Sequence, residues 1–256
     1  MEVTELSIDQ ISEDAVLGGQ VKIRQPQNGY RAAIDPVLLA AAVPAKPGQR
    51  IVDAGAGVGT AGLCLAARVK GLSITAVELN PALAQLAAEN GTLNAVEMTV
   101  VQGDISKPLP DVLPGAFDHV MTNPPYLPEH HGHPSLSPLK RAATHECDTG
   151  IDDWIGFAHS ALKNKGTLTL IYRADRLDTV MPALTPRFGD IGIFPLWPKA
   201  AESDQGVQEA KRVIVSARKG VASPVRMLSG LVLHETDGGF TPQAERILRG
   251  EKGVVI

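Results

Sequence analysis

The run Phe117-Asp118-His119-Val120-Met121-Thr122-Asn123-Pro124-Pro125-Tyr126 carries the strongest chemical signal in the chain. Strand-forming residues end abruptly in two prolines, which have no N–H to donate and cannot extend a sheet ladder. Acceptors remain at the tip: the Asn123 side-chain carbonyl and the Pro124 backbone carbonyl. An amino group conjugated to a ring or carbonyl is a poor nucleophile, because its lone pair is delocalised. Two acceptors binding its two hydrogens favour a pyramidal nitrogen and aim the lone pair at an electrophile. They also stabilise positive charge as it develops on nitrogen, a differential effect that accelerates reaction. No strong base is needed, since the proton becomes acidic only after attack begins. The competing reading is a proline-rich turn with Tyr126 in the core.

A second signal lies upstream. Ile51-Val52-Asp53-Ala54-Gly55-Ala56-Gly57-Val58-Gly59 reads as a strand entering a glycine-rich turn before a helix. Glycines allow a sharp turn and close approach of backbone to a ligand. In dinucleotide enzymes such a turn seats a pyrophosphate on a helix N-terminus. Here the spacing is Gly-x-Gly-x-Gly, and Asp53 is awkward beside a pyrophosphate. A cationic ligand suits it better, and S-adenosylmethionine carries an ammonium and a sulfonium without any phosphate. Glu78 ends the next apolar run and can accept from both ribose hydroxyls; Asp104 follows the third run and can accept from an adenine amino group. Read singly, Glu78 is a cap before Asn80-Pro81 and Asp104 an ordinary turn acid. Acids at three successive strand ends make a less ordinary pattern.

Together these residues resemble the first motifs of the class I S-adenosylmethionine methyltransferases. Asn123 to Tyr126 is similar to the (Asn/Asp)-Pro-Pro-(Tyr/Phe) element of those acting on exocyclic or amide nitrogens. The resemblance implies catalysis by Asn123, Pro124, Pro125 and Tyr126, with Tyr126 stacking a flipped or unpaired base. It implies donor binding by Asp53, Gly55, Ala56, Gly57, Gly59, Glu78, Leu79, Asp104, Ile105 and Asn123.

The leader narrows the target. Gln25-Pro26-Gln27-Asn28-Gly29-Tyr30-Arg31-Ala32-Ala33-Ile34-Asp35-Pro36-Val37-Leu38-Leu39-Ala40 resembles the start of the bacterial family that methylates the adenosine after the anticodon of valine tRNA. That likeness spans roughly Val21 to Ala217 and implies that Tyr30 and Arg31 lie over the cofactor. It makes RNA, and tRNA in particular, the expected partner. The loop Leu127–Thr149 follows the Asn-Pro-Pro-Tyr turn and should border the substrate, where Lys140 and Arg141 could meet phosphates. Its His130, His131 and His133 suggest a metal, but a loop broken by Pro and Gly fixes no ligand geometry, so no metal is expected. The alternatives are a release-factor glutamine methyltransferase, which would carry a helical domain before the glycine turn, and a non-catalytic donor-binding subunit.

The elements that must position these groups follow from hydrophobic patterning. Apolar runs at Ile51–Ala54, Ser73–Leu79, Met98–Val101, Phe117–Met121 and Thr167–Tyr172 alternate with helical segments at Thr60–Val69, Asn80–Asn90 and Ile151–Leu162. Nearly continuous apolar strands suit a sheet covered on both faces. The expected fold is α/β and Rossmann-like, a doubly wound, mostly parallel, seven-stranded sheet with an antiparallel edge strand. A helix follows at Arg176–Leu184, and Ile191–Leu196 with Arg212–Ala217 supplies a hairpin-like pair. The tail offers a strand at Leu231–His234, a turn at Asp237-Gly238-Gly239 and a helix from Pro242 to Leu248. Before the core come a polar leader, a Gly18-Gly19 break, a short strand at Gln20–Gln25 and a helix capped by Asp35. Residues 1–45 are expected to pack on a methyltransferase domain of residues 46–256.

Composition sets outer limits. A 44% hydrophobic fraction excludes wholesale disorder in a chain of 256 residues. Two cysteines, Cys64 and Cys147, cannot build a disulfide framework and fit a reducing compartment. The acidic N-terminus lacks a secretory signal, and no apolar run approaches the ~20 residues that span a bilayer. A cytoplasmic protein away from membranes is expected; the oligomeric state is not legible. The net charge of −4 leaves only local basic patches for RNA, with Lys22, Arg24 and Arg31 as one candidate and Lys211, Arg212, Arg218 and Lys219 as another.

Overall fold

The computed structural model describes residues 10–28, 31, 33–125, 150–199 and 209–256. An antiparallel hairpin of β1 (Ile11–Val16) and β2 (Val21–Pro26) leads into α1 (Asp35–Ala42). The core then alternates: β3 (Arg50–Ala54), α2 (Thr60–Arg68), β4 (Ser73–Glu78), α3 (Pro81–Leu93), β5 (Met98–Gln102) and β6 (Phe117–Thr122). Beyond the segment 126–149 come α4 (Ile151–Ala161), β7 (Leu162–Arg173), a 3-10 turn (Ala174–Arg176), α5 (Leu177–Leu184), β8 (Phe188–Lys199) and β9 (Arg212–Lys219). The tail adds β10 (Arg226–Met227), β11 (Leu231–His234) and α6 (Pro242–Leu248).

The main sheet runs β10-β8-β9-β7-β6-β3-β4-β5, with β11 also paired to β8. Strands β3 to β7 are mutually parallel, and β9 is antiparallel to both β7 and β8. Among the described residues the sheet has nine strands rather than seven, because the tail returns as two short parallel strands along β8. The expected antiparallel strand is β9, on that side of the sheet, with β8 and its short partners β10 and β11 outside it. From β3 the chain builds outward to β4 and β5, then returns to place β6 on the opposite side. That reversal opens a crevice at the carboxyl ends of β3 and β6, where open α/β sheets bind ligands.

Strand alternation feeds two cores. Ile51, Ile74, Met121, Ile171 and Ile214 face a cluster with α1, α2, α6 and the hairpin. Their neighbours Val52, Val77, Val120, Leu170 and Val213 face a second cluster with α4 and α5. Both faces are covered, so the strands read as continuous apolar runs. Helix α1 is buried from Pro36 to Ala42, which is why its sequence is apolar all round.

Two local expectations are corrected. Asp35 is not the cap of α1: Ile34 already has helical angles, and no side chain caps the helix. The Asp35 carboxylate instead accepts from Arg212 at 3.1 Å, tying α1 to β9. The polar leader contributes a strand that was not expected, because β1 pairs residue for residue with β2 from Ile11↔Pro26 to Val16↔Val21. Gly18 (φ +65°) and Gly19 (φ +87°) make the left-handed turn between them.

Asn90 of α3 and Asn94, which caps the C-terminus of that helix, dock the hairpin. Asn90 accepts from Arg24 N at 2.7 Å and donates to Arg24 O at 2.9 Å. Its amide also donates to Val58 O at 2.9 Å, so one fully buried side chain joins β2 to the glycine turn. One helical turn later, Asn94 repeats the two-way contact with Lys22. Side-chain amides thus substitute for a strand along the edge of β2.

Candidate active site

The glycine turn leaves β3 and enters α2 through left-handed backbone at Gly55 (φ +68°), Gly57 (φ +57°) and Gly59 (φ +84°). Two of them are also hemmed in by side chains. A Cβ on Gly55 would lie 2.5 Å from the Trp154 ring, and one on Gly59 would lie 2.9 Å from the Met98 methyl. Gly57 faces open space within 4 Å, so its need is conformational alone.

The turn's amides are largely committed. Gly55 N and Ala56 N both donate to Val77 O, at 2.9 and 3.0 Å, and Gly59 N donates to Ala56 O. Gly57 N donates to the Glu78 carboxylate at 2.7 Å. A pyrophosphate cradle needs such amides pointing outward. Here they turn inward onto protein acceptors, which argues against a phosphate ligand on chemical grounds.

Asp53 is 2% exposed, and its Oδ2 accepts from Gly62 N at 3.0 Å across the first turn of α2. Burial pushes its carboxyl up to about 7, offset in part by the Gly62 amide and reinforced by the Glu78 charge. An acid kept near neutrality in this way is poised to ionise when a cation arrives. Glu78, at the tip of β4, accepts from Gly57 N and from Asn80 N at 2.9 Å. A carboxylate has about four acceptor positions, and these two amides take two of them. The helix cap at this point is Asn80 itself, which accepts from Ala82 N and Leu83 N.

Register places Asn123. Strands β3 and β6 pair as Asp53↔Met121 and Ala54↔Thr122, and the Thr122 hydroxyl donates to Ala54 O at 2.9 Å. The next residue on each strand is Gly55 and Asn123, so the asparagine arrives beside the glycine turn. Asp53, Gly55, Ala56, Gly57 and Asn123 line one cavity, closed further by Gln25, Pro36, Leu39, Thr60 and Leu83. Pro124 is buried and Pro125 half-buried.

Other expected residues stand elsewhere. Neither Glu78 nor Asp104 lines this cavity; Asp104 accepts from Ser106 Oγ at 2.7 Å and from Ser106 N, and it pairs with Lys107 at 2.9 Å. The Ser106 hydroxyl and then Lys107 hold its carboxyl down to about 2. Ile105 packs on the second core, and Leu79 is half-buried outside the cavity. Arg31 points to Asp14, at 2.7 Å, rather than into the cavity. Tyr30, Tyr126, Lys140 and Arg141, with the loop histidines and Cys147, lie outside the described residues. Among the described residues no cluster of His, Cys, Asp or Glu could hold a metal, and no helix is long and apolar enough to cross a membrane.

The two basic groupings also resolve. Arg24 pairs with Glu13, Arg212 with Asp35 and Arg218 with Asp190, while Lys219 donates to the His159 and Leu162 carbonyls. Arg24 lies on β2 and Arg212, Arg218 and Lys219 on β9, and each has an acceptor on another element.

Gln25 is the residue that sequence reasoning undervalued. It is 2% exposed, lines the cavity and donates from Nε2 to Asp14 Oδ2 at 2.9 Å. Asp14 also accepts from Ser12 Oγ and from Arg31, and the Gln25 and Ser12 contacts hold its carboxyl below the usual range. The leader motif contained Gln25 and Arg31, but only the hairpin's pairing shows that one faces the cavity and the other braces it.

Known methyltransferases resemble this chain in sequence and fold. A Shewanella protein (strain MR-7) named tRNA1(Val) (adenine(37)-N6)-methyltransferase is 30% identical over 222 residues, 84% of this chain and 89% of that protein. A release factor glutamine methyltransferase from Deinococcus radiodurans is 35% identical, but over only 79 residues, 31% of this chain and 27% of its own. The crystal structure of a predicted O-methyltransferase from Agrobacterium tumefaciens superposes with a TM-score of 0.70 at 26% identity, covering 87% of this chain and 99% of that one. Residues 34–192, which carry the glycine turn, the acids and the Asn-Pro-Pro tip, match the methyltransferase small domain, and the chain is an enzyme belonging to that family.

Proposed function

We propose that the chain transfers a methyl group from S-adenosylmethionine to the exocyclic amino group of adenine in tRNA. The observation that carries this reading is the register Ala54↔Thr122, which sets Asn123 beside the glycine turn in the cavity that Asp53 lines. A nitrogen-orienting group and a cation-binding acid then share one chamber.

The donor set fits S-adenosylmethionine. Asp53 is a buried acid on the cavity wall, and an ammonium beside it favours its ionised form. Glu78 stands at the tip of β4 where ribose hydroxyls fall in nucleotide-binding sheets. The committed amides of the turn suit a ligand without phosphate. When bound, the sulfonium supplies the electrophilic methyl group.

The chain's own residues do the rest. Asn123 Oδ1 and the Pro124 carbonyl accept the two hydrogens of the target amino group and face its lone pair toward the donor. Two imides in succession keep that tip rigid, which limits the reacting nitrogen to productive orientations. Asp104 fixes the 103–107 turn beside the site, so its support for the adenine end acts through backbone position. Arg31, Asp14 and Gln25 brace the leader over the cavity. Tyr126 is read as the stacking face, and Lys140 and Arg141 as phosphate contacts.

The tRNA reading draws on the near-full-length likeness to the Shewanella enzyme, against a match confined to a third of the chain for the release-factor enzyme. A tritium-methyl transfer assay run in parallel on bulk tRNA, ribosomal RNA, DNA and release factor tests it. Label in tRNA, recovered as N6-methyladenosine, is expected. Label in release factor alone replaces the substrate with a glutamine amide.

A further inference from the structure

Thr60 is 3% exposed and lines the cavity beside Asp53, yet its Oγ1 is buried without a hydrogen-bond partner. Buried polar atoms are satisfied in the great majority of cases, so an orphan at a ligand cavity calls for an explanation. Arg68 Nε, His119 Nδ1 and Thr169 Oγ1 share this condition among the described residues, but none of them lines the cavity.

Two further features converge on the same point. Thr60 opens the nine-residue helix α2, so its own amide and that of Ala61 have no intrahelical acceptor. Both residues line the cavity, and a helix N-terminus favours an anion. The Asp53 carboxylate, which favours a cation, touches that same first turn through Gly62 N at 3.0 Å. Opposite preferences side by side match a zwitterion whose two charges sit on one carbon. The cavity volume of about 70 Å³ takes on the order of five water-sized atoms, the size of an α-amino-acid head group.

We propose that the Thr60 hydroxyl donates to the α-carboxylate of the methyl donor's amino-acid end and so selects ligands that carry this end. The proposal rests on the S-adenosylmethionine reading above. Rotation about χ1 exchanges the hydroxyl with the methyl group, and Thr readily populates two such rotamers in helices. The unmatched hydroxyl of the ligand-free chain then acquires its acceptor on binding.

Calorimetric titration with S-adenosylhomocysteine, which has the amino-acid end, and 5′-methylthioadenosine, which lacks it, tests this at pH 8. Thr60→Val should weaken the first by roughly tenfold and the second by less than about twofold, in line with loss of one charge-assisted hydrogen bond. Thr60→Ser should restore the difference. Thermal melts of the ligand-free proteins should show Thr60→Val at or above the wild-type Tm, because an unsatisfied hydroxyl has been removed. Should that variant fold poorly, Thr60→Ala with the same two ligands gives the same comparison. Equal loss for both ligands, or none for either, overturns the proposal. Failure of the wild-type chain to bind either ligand instead removes the donor reading on which it rests.

Discussion

Gly57 N donates to the Glu78 carboxylate at 2.7 Å, joining the turn after β3 to the tip of β4. Glu78 also accepts from Asn80 N, so one side chain fixes both the glycine turn and the start of α3. Glu78→Gln leaves one carbonyl oxygen for two amides and sets an NH2 group against the other. A stability loss of about 1–3 kcal/mol is expected from one unsatisfied buried donor. Donor affinity should fall at least tenfold, read by calorimetry with S-adenosylhomocysteine. A variant that melts like wild type and binds unchanged would show that the carboxylate is dispensable to the turn.

The glycines of the turn should not tolerate alanine equally. Both Gly55 and Gly57 have left-handed backbone, where a Cβ costs roughly 1–2 kcal/mol. Only at Gly55 does that Cβ also collide with the Trp154 ring, at 2.5 Å. Urea denaturation should therefore place Gly55→Ala below Gly57→Ala by more than about 1 kcal/mol, since overpacking adds its own penalty. Equal midpoints would mean that α4 yields freely.

Asp53 gives the chain a pH signature. Its folded carboxyl titrates near 7, raised chiefly by burial, while the unfolded one titrates in the ordinary carboxylate range. Between those values the folded chain holds a proton that the unfolded chain has released. The contribution to stability thus falls as pH rises through this window and is lowest above 7. Asp53→Asn should raise the Tm of the ligand-free protein at pH 8 and change it little at pH 4. Ligand binding has the opposite sign: a cationic group favours the carboxylate, so wild-type affinity for S-adenosylhomocysteine should weaken by up to about tenfold per unit below pH 7. A flat affinity profile from pH 5 to 8 would sink this account.

Asn123→Ala should abolish turnover while sparing the donor. Loss of one transition-state acceptor is worth about 10²–10³ in kcat. The Kd for S-adenosylhomocysteine should change by less than about threefold. A large loss of donor affinity would mean that Asn123 serves the donor more than the target nitrogen.

Asp14→Ala removes the acceptor shared by Ser12, Gln25 and Arg31. Although Asp14 lies on β1, outside the cavity, donor affinity should weaken as the Gln25 side chain loses its anchor. Gln25→Ala should do the same, and the double variant should add little beyond either alone, the signature of coupled sites. Full additivity would separate the brace from the cavity.

Patterning in the chain was sufficient to fix the alternating core. Ile51-Val52, Val120-Met121 and Leu170-Ile171 each put one apolar side chain on either face, as a sheet covered on both sides requires. Turn chemistry was legible too, because left-handed backbone at Gly55, Gly57 and Gly59 can be anticipated from residue type. Asp53 and Asn123 could each be assigned to a strand end from sequence, and the pairing of β3 with β6 brings both to one cavity. The bonds of Asp104 to Ser106 and Lys107 were not legible, because a strand-end acid looks the same in sequence whatever partners its turn supplies.

What folding alone decided depends on partners distant in the chain. Asn90 reaching Arg24 and Val58, Asp35 meeting Arg212, and Gln25 held to the cavity by Asp14 are polar contacts whose partners leave no local periodicity. Hydrophobic burial is non-directional and averages over many residues, so it shows in composition and spacing. A hydrogen bond needs two particular atoms within about 3 Å and suitably aimed, and only the assembled chain brings them there.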